Sequence, residues 1–440
     1  MKQRFMAAAA IIVLGMTGTA LPGFSETVVP IQGPGAKPGY PGWYLQGTSA
    51  DPEGPLTMDM LVGKGELGNS TRVRLSQGKE PLPRQGFGSG VGRGNNPPAC
   101  VKSPICGFDG SILGGVTDGI ERVVWKPTMG YTFSYPIDLP AGGGNVGAAS
   151  VDSKDNVWVW QRNEGNVPAL FKFGPDNKLL FAVDPKLTNH GAPFRAHDMK
   201  VAPDDTVWTV DQSGSLVQQF SPEGKLLKTL GVKGKRGDWD ESKGQRLIWE
   251  PVGIDFGPTG DVYIFCSHGD ESPNDFASGD PTNQLGVARV IHLDKDGNFI
   301  NQWFGPDHGP GKFYNAHGSA VDPVTGDVWV GDRQDYRIQI FTANGHFLRT
   351  IAMRNLTSAM FFDKRKGPTF GQLWMADGQD GQVLKLDRDG NVMGAIGTRK
   401  SVALNHFSEA AFMGVNSKGV FYVGDSQVPR VTVLTPPSRR

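Results

Sequence analysis

Four residues of this sequence combine reactive side chains with matching positions in a repeat: His197 in RAHDMKVAPD, His317 in NAHGSAVD, Arg162 in VWVWQRN and Arg333 in VGDRQD. A pair of histidines can bind a borderline metal ion or exchange protons near neutral pH. Arginines hold a carboxylate through two parallel hydrogen bonds. Glu409 in FSEAAFMGV offers a carboxylate ligand, and His268 and Asp270 in FCSHGDE offer an acid or base ahead of a long polar insert. A single histidine is ordinarily a hydrogen-bonded polar residue. The case for chemistry therefore rests on whether the elements carrying these residues bring them together.

Those elements repeat. Six copies of an aromatic-centred strand occur, at NVWVW, TVWTVD, DVYIFC, DVWVGD, QLWMAD and VFYVGD. Their central aromatics Trp158, Trp208, Tyr263, Trp329, Trp374 and Tyr422 are spaced 50, 55, 66, 45 and 48 residues apart. That period, with four short strands per copy, is the signature of a β-propeller blade. Turn sequences GPDNK, SPEGK, DKDGN, TANGH and DRDGN supply the hairpin between a third and a fourth strand in five copies. The sixth ends at RVTVLTPPSRR with no room for a fourth strand, and YTFSYPIDL, Tyr131 to Leu139, is positioned to supply it. Such a pairing of the two chain ends closes the ring and removes its open edges.

A propeller sorts residues onto faces, because the innermost strand of each blade starts where the second strand ends. His197, Glu250, His317 and Glu409 lie at first-strand starts, and Arg162, Asp211, His268, Asp270, Arg333, Asp377 and Asp425 at second-strand ends. All are expected around one mouth of the central channel. Asp211, Asp332, Asp377 and Asp425 recur from blade to blade and read as turn caps that accept backbone N–H groups. The histidines and arginines do not recur in every copy.

Lys and Arg total 44, as do Asp and Glu, so no charge excess points to nucleic acid or an anionic membrane. The start MKQRFMAAAAIIVLGMTGTALPGFSE reads as a signal peptide over residues 1–25, with no integral membrane segment left after cleavage and a periplasmic or secreted destination. Residues 26–129, rich in Gly and Pro, read as an irregular arm or cap, and 130–440 as the propeller. Cys100 and Cys106 are spaced for a small disulfide loop in an oxidising compartment, leaving Cys266 over.

The blade AHGSAVDPVTGDVWVGDRQDYRIQIF resembles the NHL-repeat propellers, and among them peptidyl-α-hydroxyglycine α-amidating lyases. The resemblance covers about residues 146–436. It implies an all-β, six-bladed NHL-type propeller and a zinc site, with calcium as a second, structural ion. His197 and His317 fall on two zinc positions, and Arg162 and Arg333 on the substrate arginines. Ala411 stands where the third zinc histidine belongs, Phe412 where a calcium-binding Asp belongs, and His268 or Asp270 at the catalytic tyrosine. Glu409 or His268 is then left as third ligand. The implied activity is metal-assisted C–N cleavage of a carboxylate-bearing, α-hydroxy-amide-like small molecule or peptide. Two alternatives stay open: a non-catalytic module binding a protein or peptide, and another metal-dependent propeller lyase or lactonase.

Overall fold

The structure, a computed structural model, describes residues 56–60, 71–75, 125 and 127–438, apart from short interruptions at 141–142, 164, 189–193, 267–287, 305–309, 314–315, 334–336, 354–356, 379 and 399–402. The expected signal peptide and the expected Cys100–Cys106 loop lie outside these residues. Within the segment expected to be irregular, Leu56–Met60 pairs antiparallel with Thr71–Leu75.

The rest is an all-β, propeller-like arrangement. Four separate four-stranded sheets follow one another along the chain, each a meander in which neighbours in sequence are neighbours in space. Trp239–Asp240 and Gln245–Arg246 form a small two-stranded sheet, and an eight-stranded sheet holds the remaining strands. Its two halves meet at one parallel bridge, Phe412 to Ala148. The inner strands Val146–Val151, Ala196–Val201, Pro251–Phe256, Ala320–Val321, Thr357–Phe362 and Ala410–Val415 each lie against the next, and the last lies against the first. Thr132–Ser134 pairs antiparallel with Val431–Thr435, so the segment ahead of the repeats does complete the final sheet.

Physical chemistry explains both the strands and the turns. Second strands such as Val157–Gln161, Val207–Asp211 and Val328–Asp332 are buried along their whole length because each sheet is covered on both faces by its neighbours. Their indoles and phenols also tie sheet to sheet: Trp160 Nε1 donates to Val210 O at 3.0 Å, and Tyr263 Oη to Ala343 O at 3.3 Å. The outer hairpins share one geometry, with Asn177, Gly224, Gly297, Gly345 and Gly390 all at φ between 64° and 85°, the left-handed region that Gly and Asn reach at least cost. Asp294 and Asp387 cap two of these turns by accepting two backbone N–H groups each.

A second set of bridges runs between inner strands. Ser150 Oγ accepts from Val201 N at 3.1 Å, Asp198 Oδ2 from Ile254 N at 3.0 Å, and Asp255 Oδ2 from Val321 N at 2.8 Å. Each links one inner strand to the next, so the channel wall is hydrogen-bonded laterally.

Candidate functional site

Inner strands start with a β-bulge. The pairing register shifts between Val146 and Ala148, Ala196 and Met199, Pro251 and Gly253, Thr357 and Ala359, and Ala410 and Met413. A bulge leaves residues out of the ladder and re-aims their side chains. His197 sits in one bulge, and its equivalents are Gly147, Val252, Ser358 and Ala411. His317 takes the same place in its sheet, immediately after Ala316, which bridges to Asp332 as Ala196 pairs with Asp211. The turn at His317 depends on Gly318, at φ 70°, where an added Cβ would come within 2.9 Å of the Ser358 backbone.

The two histidines meet. Their ring centroids are 4.9 Å apart, edge to face, with His197 3% and His317 5% exposed. Phe412 packs against both, at 5.3 Å from His197 and 6.0 Å from His317. His197 Nδ1 lies 2.6 Å from Val252 O, the equivalent residue of the next sheet, and His317 is hydrogen-bonded to the backbone of Ser358, again the equivalent residue. A carbonyl only accepts, so Nδ1 of His197 carries the proton and Nε2 keeps its lone pair.

Both imidazoles are held neutral. Burial pushes the His197 pKa well below its ordinary value, followed by the charges of Arg195 and Arg162. Burial does the same for His317, followed by Arg333, His197 and Arg195. The unfolded chain therefore takes up protons that the fold refuses. The stability is present above pH 6.5 and is lost progressively as pH falls below it. A His197→Gln/His317→Gln variant is expected to show a shallower fall in melting temperature between pH 6.5 and 5 than the parent; parallel curves would contradict the neutral assignment.

The other expected residues are placed as follows. Arg162 Nε donates to Ala196 O at 3.0 Å and Nη1 to Ser426 O at 3.1 Å, which sets it across the seam beside His197. Arg333, 1% exposed, forms an ion pair with Glu409 through Nη2 at 3.0 Å. The second oxygen of Glu409 accepts from Gln427 Nε2 at 2.6 Å. Glu409 thus reaches the site as the counter-charge of Arg333. His268 and Asp270 lie outside the described residues. Among the described residues no group of three or more His, Cys, Asp or Glu side chains converges as a metal site. The donor chemistry of the histidine pair nevertheless suits a metal, since ligating imidazoles are neutral and their other nitrogen is ordinarily tied to a carbonyl or carboxylate, as Nδ1 of His197 is.

No family model matches the chain. It is 31% identical over 209 residues to human NHL repeat-containing protein 3, covering 45% of this chain and 52% of that protein. It is 24% identical over 260 residues to mouse peptidyl-glycine alpha-amidating monooxygenase, covering 52% of this chain and 24% of that one. Its relatives include NHL repeat-containing proteins and alpha-amidating monooxygenases. The chain spans about half the length of the NHL relative and about a quarter of the monooxygenase. Among solved structures, a gluconolactonase from Xanthomonas campestris aligns at TM-score 0.47 and 12% identity, over 70% of this chain and 91% of that one. Virginiamycin B lyase from Staphylococcus aureus aligns at 0.44 and 12%, over 70% and 100%.

One basic residue of this site is not evident from linear reading. Arg195 acts on the pKa of both histidines, and its N–H donates to Asp211 Oδ1 at 2.8 Å. The signal was present: Arg195 and His197 are two apart, the spacing that sets side chains on one face of an extended chain. Asp198, fully buried behind His197, is pushed by burial to a pKa of about 6. Cys266 is buried with a free thiol, its pKa raised to about 12 by burial.

Proposed function

We propose that this chain is an exported six-bladed NHL propeller that works as a metal-assisted lyase on a small, carboxylate-bearing α-hydroxy-amide or peptide substrate. Residues 1–25 form its signal peptide, 26–129 an arm and 130–440 the ring, the eight-stranded sheet counting as two blades. The observation carrying this reading is the pair of buried, neutral histidines 4.9 Å apart at equivalent bulges, with the His197 tautomer set by Val252 O. The likeness to an alpha-amidating monooxygenase adds support for the reaction type.

His197 and His317 would hold a zinc ion, with His268 rather than Glu409 as the third ligand, because Glu409 is committed to Arg333 and Gln427; Asp270 would then serve as base. Calcium, an oxygen-seeking ion, suits this imidazole set less well. The bound metal would polarise a substrate oxygen. Arg162 supplies positive charge toward a substrate carboxylate, while Arg333 shares its charge with Glu409. Arg195 and the burial of the site hold both imidazoles unprotonated, the form that can ligate or accept a proton.

Purified protein is expected to contain one zinc per chain and to release glyoxylate from a peptide ending in α-hydroxyglycine. His197→Ala/His317→Ala should lose the metal and slow release by about a hundredfold or more. Protein without stoichiometric metal and without glyoxylate release would overturn the proposal.

A further inference from the structure

The five longer inner strands gather the bulges and histidines at their starts, and their other ends line a separate cavity of about 560 Å³. Its wall takes Ser150 and Val151, Lys200 and Val201, Asp255 and Phe256, Phe361 and Phe362, and Gly414 and Val415, the last residues of those strands. Strands that run the same way put these ends opposite the histidines. The volume lies in the range of small-molecule sites, roughly 300–1,000 Å³.

Most charged groups of the cavity wall are matched. Asp155 is bonded to Ser417, Asp205 to Ser153, Asp152 to Lys172 and Asn156, and Asp255 to Lys364 and the Val321 amide. Arg365 is likewise ion-paired with Asp363. Lys200 is held less closely. Its side chain is 8% exposed, and its Nζ forms an ion pair with Asp198 Oδ1 at 3.9 Å, too long for a hydrogen bond. It also stands 5.7 Å from the Phe361 ring centroid and 5.6 Å from that of Phe412. An ammonium against two aromatic faces at the wall of a cavity, with the exposed Lys366 and Lys418 at the same wall, makes a site for a negative charge with an apolar body attached.

We infer that this cavity binds a small organic carboxylate, its anionic group meeting Lys200 and its apolar part lying against Phe361. Phe412 separates it from the histidine pair, packing against His197 and His317 as well as Lys200. With Lys364 and Arg365 closely matched by Asp255 and Asp363, the one more loosely held ammonium, Lys200, suits a monoanion better than a phosphate.

The test is calorimetric titration of the full chain with benzoate, hexanoate and inorganic phosphate. Saturable one-to-one binding of benzoate or hexanoate, weakened at least tenfold in Lys200→Met and kept in His197→Ala/His317→Ala, is expected. The histidine variant makes failure here distinguishable from failure of the proposed lyase. No saturable binding of either carboxylate, unchanged affinity in Lys200→Met, or binding of phosphate alone would overturn the inference. Should Lys200→Met not fold, Phe361→Ala decides: weaker benzoate binding supports the site and unchanged binding overturns it.

Discussion

A chain shortened to start at residue 140 is expected to lose roughly 5 kcal/mol of stability or more, whereas one starting at residue 125 keeps nearly all of it. The segment between those starts does more than add a strand. Trp125 and Gln382 exchange two hydrogen bonds, Trp125 N to Oε1 at 2.9 Å and Nε2 to Trp125 O at 2.7 Å. Thr128 and Met129 donate to Ala395 O. Tyr131 meets Trp374 and Phe421 edge to face, Phe133 packs 5.4 Å from Phe407, and Ile137 is buried. Four large side chains at roughly 1.5–3 kcal/mol each, discounted for the partial exposure of Tyr131 and Phe133, give the estimate. A domain's whole stability is about 5–15 kcal/mol, so the shorter chain should be largely unfolded at ambient temperature. Equal denaturant midpoints for the two truncations would refute this account of closure.

The second large effect concerns Asp211. Where a second strand ends in Asp, the residue five positions later faces it across the hairpin. Asp332 finds Arg337 at 2.7 Å and Asp425 finds Arg430 at 3.3 Å, but Asp211 faces Leu216. Its Oδ1 accepts from Arg195 N and Gly214 N. Burial pushes its pKa up to about 7, outweighing the two amide donors and the charge of Lys233. The sign follows: the folded carboxyl holds its proton to higher pH than the unfolded one, so its penalty is full above pH 7 and is relieved as pH falls from 7 toward 4. Asp211→Asn keeps an acceptor for both amides and removes the charge. It is expected to stabilise the protein at pH 8 by an amount on the order of 4 kcal/mol and to be near neutral at pH 4.5. A variant that is destabilised equally at both pH values would show that the carboxylate itself is required.

Much of the scaffold was legible because a blade is a local object. Aromatic spacing, Asp-Gly hairpins and the missing final strand are read from neighbours in sequence, and each strand found lies within a residue or two of its expected place. The caps were legible for the same reason: Asp425 accepts from Gln427 N at 3.1 Å as a turn residue should, although it also accepts from Ser408 N and Glu409 N across the sheet. The site was legible in position but not in partnership. His197 and His317 could be put on one face by counting strands, yet the bulges that turn them inward are a property of pairing register, which composition does not encode. Glu409 offered itself as a ligand on paper. Its partner Arg333 is 76 residues away, and no spacing rule pairs them. Asp198 and Lys200 drew no attention because alternation predicts only which face they take, not that the channel's interior would bury them.

The join between the first and last repeats has a consequence in time. Asn145 donates to Ser426 O across 281 residues, and Phe133 sits in register with Leu434. Nothing emerging early from synthesis can form these contacts, because their partners are made last. Four sheets can assemble as the chain grows, while the first repeat waits with an unpaired flank until the final strands arrive. Contacts this distant make the last step slow. A protein so built would spend its most vulnerable moments with one seam open, which places its aggregation hazard at the junction rather than in any single repeat.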